Sequence, residues 1–180
     1  MMKYLLTLLL FACSLGASSQ TVPLTQKKEL FDKHLTVMLP FDFKQMTATE
    51  VAERYDATNP PNYVFRGPES SINLAFSNSY QTNPVDTTAM LELVNILKGS
   101  LEKSYPALFW VDHSSSSVNG KLVGKLEFKS LTPANEMVYN MMYLIGVNGQ
   151  LVIVNFNCEC AANDPWAKTG RQILAGIVVR

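Results

Sequence analysis

The chain has 180 residues, 47% of them apolar and 17% charged, with 15 basic and 15 acidic side chains that cancel. That length suits one domain with a sizeable core. No block of Lys or Arg is present, which argues against nucleic acid or an anionic lipid surface as the partner.

Residues 1–19 read as a secretory leader: Lys3 supplies the positive end, residues 4–15 the apolar run, and residues 16–19 the small-residue end. Removing them takes Lys3 and leaves a net charge near −1. Cys13 has two readings. Against a lipobox, Leu10, Ala12 and Cys13 fit, but Phe11 stands where a small residue is expected, and the leader would be short. Against signal peptidase I, Ala17-Ser18-Ser19 offers small residues at −3 and −1 before Gln20. The second reading is favoured, so Cys13 is lost with the leader; membrane attachment follows only if Cys13 is lipidated. No later segment reaches the roughly 20 apolar residues of a transmembrane helix.

Residues 20–27 are polar and read as a flexible lead-in to a single domain over 28–180. Two short strands are expected over 30–39, around Asp32-Lys33, broken at Pro40. Thr47 followed by Glu50 fits a capping box for a short helix to about residue 55, and Asn59-Pro60-Pro61-Asn62 ends it. A hairpin follows over 63–66 and 71–77, with Ile72, Leu74 and Phe76 alternating against polar residues. The main helix spans 87–104: Asp86 can cap it, Met90, Leu93, Val94, Leu97 and Leu101 form its apolar stripe, and Pro106 stops it.

Four strands then run over 108–115, 121–131, 136–147 and 150–157. Asn119-Gly120 and Asn148-Gly149 are strong hairpin signals, and links this short demand antiparallel neighbours. Residues 137–147 are apolar on both faces, which marks a central strand covered on both sides. Asp164-Pro165 opens a last helix whose stripe is Trp166, Gly170, Ile173, Leu174, Ile177 and Val178. The Val-Asn-Gly matches at 118–120 and 147–149 are two similar turns and no repeat. The expected class is α+β: an α/β/α sandwich with a central antiparallel sheet of about six to eight strands and helices on both faces.

The Leu39-Pro40-Phe41 step after the first hairpin, the long central helix, the Asn119-Gly120 meander and the final helix resemble the PsbP-like superfamily over residues 28–180. That superfamily holds extrinsic photosystem subunits, a Ran-binding nuclear import factor and small bacterial envelope lipoproteins of the DcrB type. The resemblance implies an α/β/α sandwich and mostly non-enzymatic accessory roles. The leader fits the bacterial envelope branch. No functional residue is carried over, because the matching residues look structural.

Asp112-His113-Ser114 has the composition of a catalytic triad, but neighbours in a strand point to opposite faces and cannot form its relay. Cys158-Glu159-Cys160 closes the last long strand with both sulfurs on one side. The plainest reading is two small, partly buried thiols; a disulfide comes next, since exported chains meet oxidants, and a metal site last, with two thiolates only half of a tetrahedral set. The carboxylates are scattered, and no phosphate loop, dinucleotide fingerprint, HExxH or EF-hand pattern occurs. No metal or cofactor is expected. Phe109, Trp110, Tyr63, Phe65 and Tyr80 are read as core, with a binding patch as the lesser reading. The expectation is an exported, non-catalytic accessory domain of the bacterial envelope that binds another envelope protein or a small ligand. The alternatives are a thiol-dependent redox or hydrolytic enzyme using Cys158 and Cys160, or a small-ligand carrier with its pocket between sheet and helix.

Overall fold

Turn chemistry sets the order of the main sheet. The structure is a computed structural model and describes residues 21–180 except 56–57, 83–85, 106, 133–134 and 160–164. In chain order its elements are β1 (Leu24–Leu30), β2 (Leu35–Pro40), β3 (Lys44–Gln45), α1 (Ala48–Arg54), β4 (Tyr63–Arg66), β5 (Asn73–Thr82), α2 (Thr87–Ser104), β6 (Leu108–Val118), β7 (Lys121–Leu131), β8 (Met137–Val147), β9 (Gln150–Cys158), α3 (Pro165–Ala175) and β10 (Val178–Val179). Asn119 and Gly120 have φ of 49° and 77°, and Asn148 and Gly149 have 50° and 77°. Such left-handed pairs build type I′ turns, and they close β6 on β7 and β8 on β9. Seven strands pair antiparallel in the order β3-β4-β5-β9-β8-β7-β6, and a second sheet runs β1-β2-β10.

Each helix is placed by its caps and its apolar stripe. Asp86 accepts from the Ala89 N–H at 2.9 Å and starts α2. Thr47 and Glu50 form both halves of a capping box on α1. Met90 and Val94 of α2 bury themselves with Leu126, Leu144 and Leu151 on one face of the large sheet. Ala167, Ile173 and Leu174 of α3 bury themselves on the other face, with Phe156 and Met141, and there the small sheet adds Leu35, Val37 and Leu39. The sheet is therefore flanked by helices on both faces. No described helix is long and apolar enough to cross a membrane.

The structure departs from the sequence expectation in several places, among them the unexpected β3 and a β6 that runs on to Val118 past residue 115. Residues 24–27, expected as lead-in, belong to β1, which pairs with β2 from Leu24↔Pro40 to Leu30↔Leu35. The last helix stops at Ala175; beyond Gly176 the chain straightens into β10, so Ile177 is buried in the core while Val178 is exposed and pairs with Thr36. The second hairpin strand runs on to Thr82, past residue 77. Asn119 also does more than turn: its Nδ2 donates to Ala175 O at 3.1 Å and Ile177 O at 2.8 Å, tying the β6–β7 turn to the end of α3. The expected Asp164 cap lies outside the described residues.

The tightest helix contact is at Gly170, where a Cβ would stand 2.5 Å from the Phe156 ring, itself fully buried. Gly170→Ala should raise helix propensity by about 1 kcal/mol but overpack the site by about 1–3 kcal/mol. The expected result in urea unfolding is net destabilisation; a stabilised variant would show that α3 does not dock on Phe156 as described.

A candidate amide-lined cleft between helix and sheet

The α2-side face of the large sheet carries a row of asparagines. Asn140 on β8 stands opposite Asn157 on β9, and Asn157 stands opposite Asn73 on β5. Residues paired across strands project to the same face, so three carboxamides lie side by side at steps of about 4.8 Å. Their strand neighbours Tyr139, Phe156, Cys158 and Leu74 point into the core on the α3 side. Asn155, two residues before Asn157, shares the row's face.

At the end of the row nearest the C-terminus of α2 the surface opens into a cleft of about 700 Å³, larger than the cleft of about 500 Å³ beside Phe41 and Arg66. Ser104, Tyr105 and Ala107 form its helix-side wall, Ser130, Leu131 and Thr132 its β7 side, and Asn140 and Asn157 line it from the sheet. The Leu131 N–H donates to Ala107 O at 3.4 Å and the Thr132 N–H to Glu136 O at 2.9 Å, which fixes the rim. Tyr105 caps α2, and its ring leans on Phe128 at 6.0 Å and 54°. Asn140 is only 6% exposed. Its Nδ2 donates to Ser130 Oγ at 3.2 Å and Val138 O at 3.3 Å, and no described residue donates to its Oδ1. The Asn157 carboxamide has no hydrogen-bond partner among the described residues. The described lining holds no acid, base or thiol.

A second polar cluster lies on the opposite face. Glu127 Oε1 accepts from Arg171 Nε at 2.9 Å, from Arg171 Nη2 at 2.6 Å and from the Tyr139 hydroxyl, and Arg171 Nη2 also donates to that hydroxyl at 2.5 Å. The cluster clamps α3 to β7 and β8. Burial, then the hydrogen bond to Glu127 and its negative charge, push the Tyr139 phenol up to about 12. A phenol that holds its proton this firmly is a donor and no base near neutral pH.

The residues singled out in the sequence fall in different places. Cys158 is 1% exposed at the end of β9 and is disulfide-bonded; Cys160 and Cys13 lie outside the described residues. Ser114 Oγ donates to Asp112 Oδ2 at 3.0 Å, while His113 turns to the other face and meets Trp110 edge-on at 5.9 Å, so the three side chains do not converge. His34 is in the β1–β2 turn, far along the fold from Cys158. No cluster of three metal-binding side chains occurs among the described residues. The aromatics do not form one patch: Phe65 is in the core, Tyr63 packs edge-on against Phe31 at 5.1 Å, and Trp110 packs beside α2 at the far edge of the sheet, where its Nε1 donates to Glu102 at 2.9 Å. Phe109 alone of those described stands out at 55% exposed; the Tyr80 side chain lies outside the described residues.

The asparagine row was missed in the sequence. Its signal is Asn155 and Asn157 at period two in an otherwise apolar strand, with Asn140 the polar residue on the Val138–Met142–Leu144 face of the central strand.

Comparison with protein-family models and with curated protein sequences finds no match. Comparison of structures does. The cyanobacterial PsbP (CyanoP) of Synechocystis sp. PCC 6803 superposes with a TM-score of 0.64 over 93% of this chain and 96% of its own, at 13% identity. A protein of Bacteroides thetaiotaomicron VPI-5482 superposes with a TM-score of 0.53 over 86% of this chain, at 10% identity; this chain spans about half of it, 48%. The chain has the PsbP-like fold.

The clamp gives a pH prediction. A folded-state phenol pKa raised from about 10 to about 12 contributes stability that is present below about pH 10 and lost as pH rises through about 12. Tyr139→Phe removes the contribution. The stability gap between wild type and this variant should therefore shrink across that window in urea unfolding; a constant gap would contradict the assignment.

Proposed function

We propose that the chain is an exported accessory domain of the bacterial cell envelope that binds a small ligand, held in the cleft between the end of α2 and the sheet. The observation that carries this reading is the cleft itself: a concavity within the range of about 300–1,000 Å³ typical of small-molecule sites, lined by carboxamides that the protein leaves partly unbonded. A concave site of this size suits a small ligand better than the flat face of another protein.

Binding is preferred to catalysis because the described lining offers no group to carry a proton and no activated nucleophile. Ser104, Ser130 and Thr132 have hydroxyls but no base among the cleft residues. A thiol enzyme is disfavoured by the burial of Cys158, which keeps its sulfur from a substrate. Export rests on the leader: Lys3, the apolar run and Ala17-Ser18-Ser19. The likeness to CyanoP supports the frame of an accessory domain, although a fold does not determine a function.

The test is thermal unfolding of the purified chain in a low-molecular-weight extract of its source cells. A ligand at a hundred times its Kd stabilises by about 2.7 kcal/mol, a rise of several degrees in Tm for a domain of this size. Ala107→Trp, which fills the cleft from its wall, should abolish the rise. No rise in the wild type, or an equal rise in both proteins, would overturn the assignment.

A further inference from the structure

We propose that the ligand of the cleft is a neutral, polyhydroxylated molecule, a saccharide, hydrogen-bonded by Asn140 and Asn157 with a sugar ring against Tyr105. This deepens the binding reading and rests on it.

The first constraint is charge. The described lining contains no Asp, Glu, His, Lys or Arg. An ion entering the cleft would lose water and find no counter-charge, which is costly. A phosphate, a carboxylate or an ammonium is therefore a poor occupant.

The second constraint is the balance of donors and acceptors. A carboxamide has two donors and an acceptor with two lone pairs. Among the described residues, Asn140 uses its donors on Ser130 and Val138 and keeps a free acceptor, Oδ1, and the Asn157 carboxamide keeps all of its hydrogen-bonding capacity. Buried polar atoms in folded proteins are nearly always paired, so the exceptions need a reason. Two of the four such atoms among the described residues fall in this row: Oδ1 of Asn73, which is 2% exposed and donates through Nδ2 to Ser70 O, and Oδ1 of Asn155; the other two, Thr36 Oγ1 and Ser116 Oγ, lie elsewhere. A hydroxyl donates one hydrogen bond and accepts others. One sugar hydroxyl can thus accept from Asn157 Nδ2 and donate to Asn140 Oδ1, and at the β7 side the Thr132 hydroxyl, which accepts from the Glu136 N–H, keeps its own proton to donate. An apolar ligand would leave these groups unpaired and desolvated, which is costly. A peptide strand is recognised through main-chain bonds at a sheet edge, but β8 and β9 lie inside the sheet with their ladders paired on both sides.

The third observation is the ring at the rim. Tyr105 is 37% exposed and is braced from behind by Phe128, so it presents a firm aromatic face. A pyranose has one apolar C–H face and a polar circumference. Placed on Tyr105, it would turn its hydroxyls toward the carboxamides.

The experiment is isothermal titration of the full chain with neutral oligosaccharides, maltotriose, cellotriose and triacetylchitotriose, against glucose 6-phosphate and a capped alanine tripeptide. At least one of the three saccharides should bind, and the charged sugar and the peptide should not. Asn157→Ala removes a carboxamide that makes no hydrogen bond among the described residues, so its Tm should match wild type while saccharide affinity falls at least tenfold. Tyr105→Ala should lower affinity at least fivefold, and Phe109→Ala, which pairs with Lys129 and turns to the opposite face of the sheet, should leave it unchanged. Binding that ignores both Asn157→Ala and Tyr105→Ala, or preference for the charged sugar or the peptide, would overturn the inference. So would silence from all three saccharides. If none binds but the cell extract still stabilises wild type and not Ala107→Trp, the cleft binds another class and only the saccharide assignment fails. If the extract has no effect either, the binding reading fails with it.

Discussion

The structure depends on β8 being buried from both sides. Tyr139, Met141 and Ile145 face one way and Leu144 the other, and all are buried. A strand in that position needs two covers, and each cover has its own means of attachment. On one face α2 docks through Met90 and Val94, coming so close that a Cβ on Gly124 of β7 would lie 2.8 Å from Val94 and 2.9 Å from Met90. On the other, α3 and the small sheet close over Phe156, Met141 and Tyr139. The two covers differ in width. A helix about 10 Å across spans about two strands spaced about 4.8 Å apart, and α2 lies mainly over β6 and β7. On that face the residues of β9 and β5 further from the helix are polar: Asn155, Asn157 and Asn73. The cleft opens beyond the C-terminal end of α2, over the part of β7, β8 and β9 that this helix does not reach.

The two polar clusters illustrate what separates a structural feature from a site. Glu127, Arg171 and Tyr139 satisfy one another, and their charges cancel locally. A partly buried ion pair of this kind holds α3 in register, and losing one partner would strand the other's charge. The carboxamides of the opposite face are arranged just as regularly, by strand pairing, but only Asn140 and Asn157 line the cleft, and the Asn157 side chain has no hydrogen-bond partner among the described residues. Cys158, buried at the end of β9, adjoins this row through its neighbour Asn157, yet its side chain points to the other face.

The second half of the fold was legible because its signals are local. Asn119-Gly120 and Asn148-Gly149 specify left-handed turns, Asp86 and Thr47–Glu50 specify helix starts, and the α2 stripe has the right period. Less local features escaped. β1 begins in the polar run Leu24–Leu30, and what makes it a strand is pairing with β2, which composition does not report. β10 is two residues long and exists because Gly176 ends α3 and Asn119 holds Ala175 and Ile177 in place. The candidate site was overlooked for the same reason. Cys-x-Cys and Asp-His-Ser draw notice as motifs in sequence, whereas Asn140, Asn157 and Asn73 become neighbours only when three strands take up their register.

The central claim is that the row of carboxamides is a binding surface. It is most directly tested by NMR, following the side-chain Nδ2–H₂ resonances of Asn140 and Asn157 in the full chain as triacetylchitotriose, maltotriose and cellotriose are added in turn. With at least one of them both pairs should shift together with the Tyr105 ring signals, saturating at a common concentration, while the Glu127–Arg171–Tyr139 clamp on the opposite face stays still. Carboxamide resonances that remain fixed in all three titrations, or shifts confined to the opposite face, would contradict it.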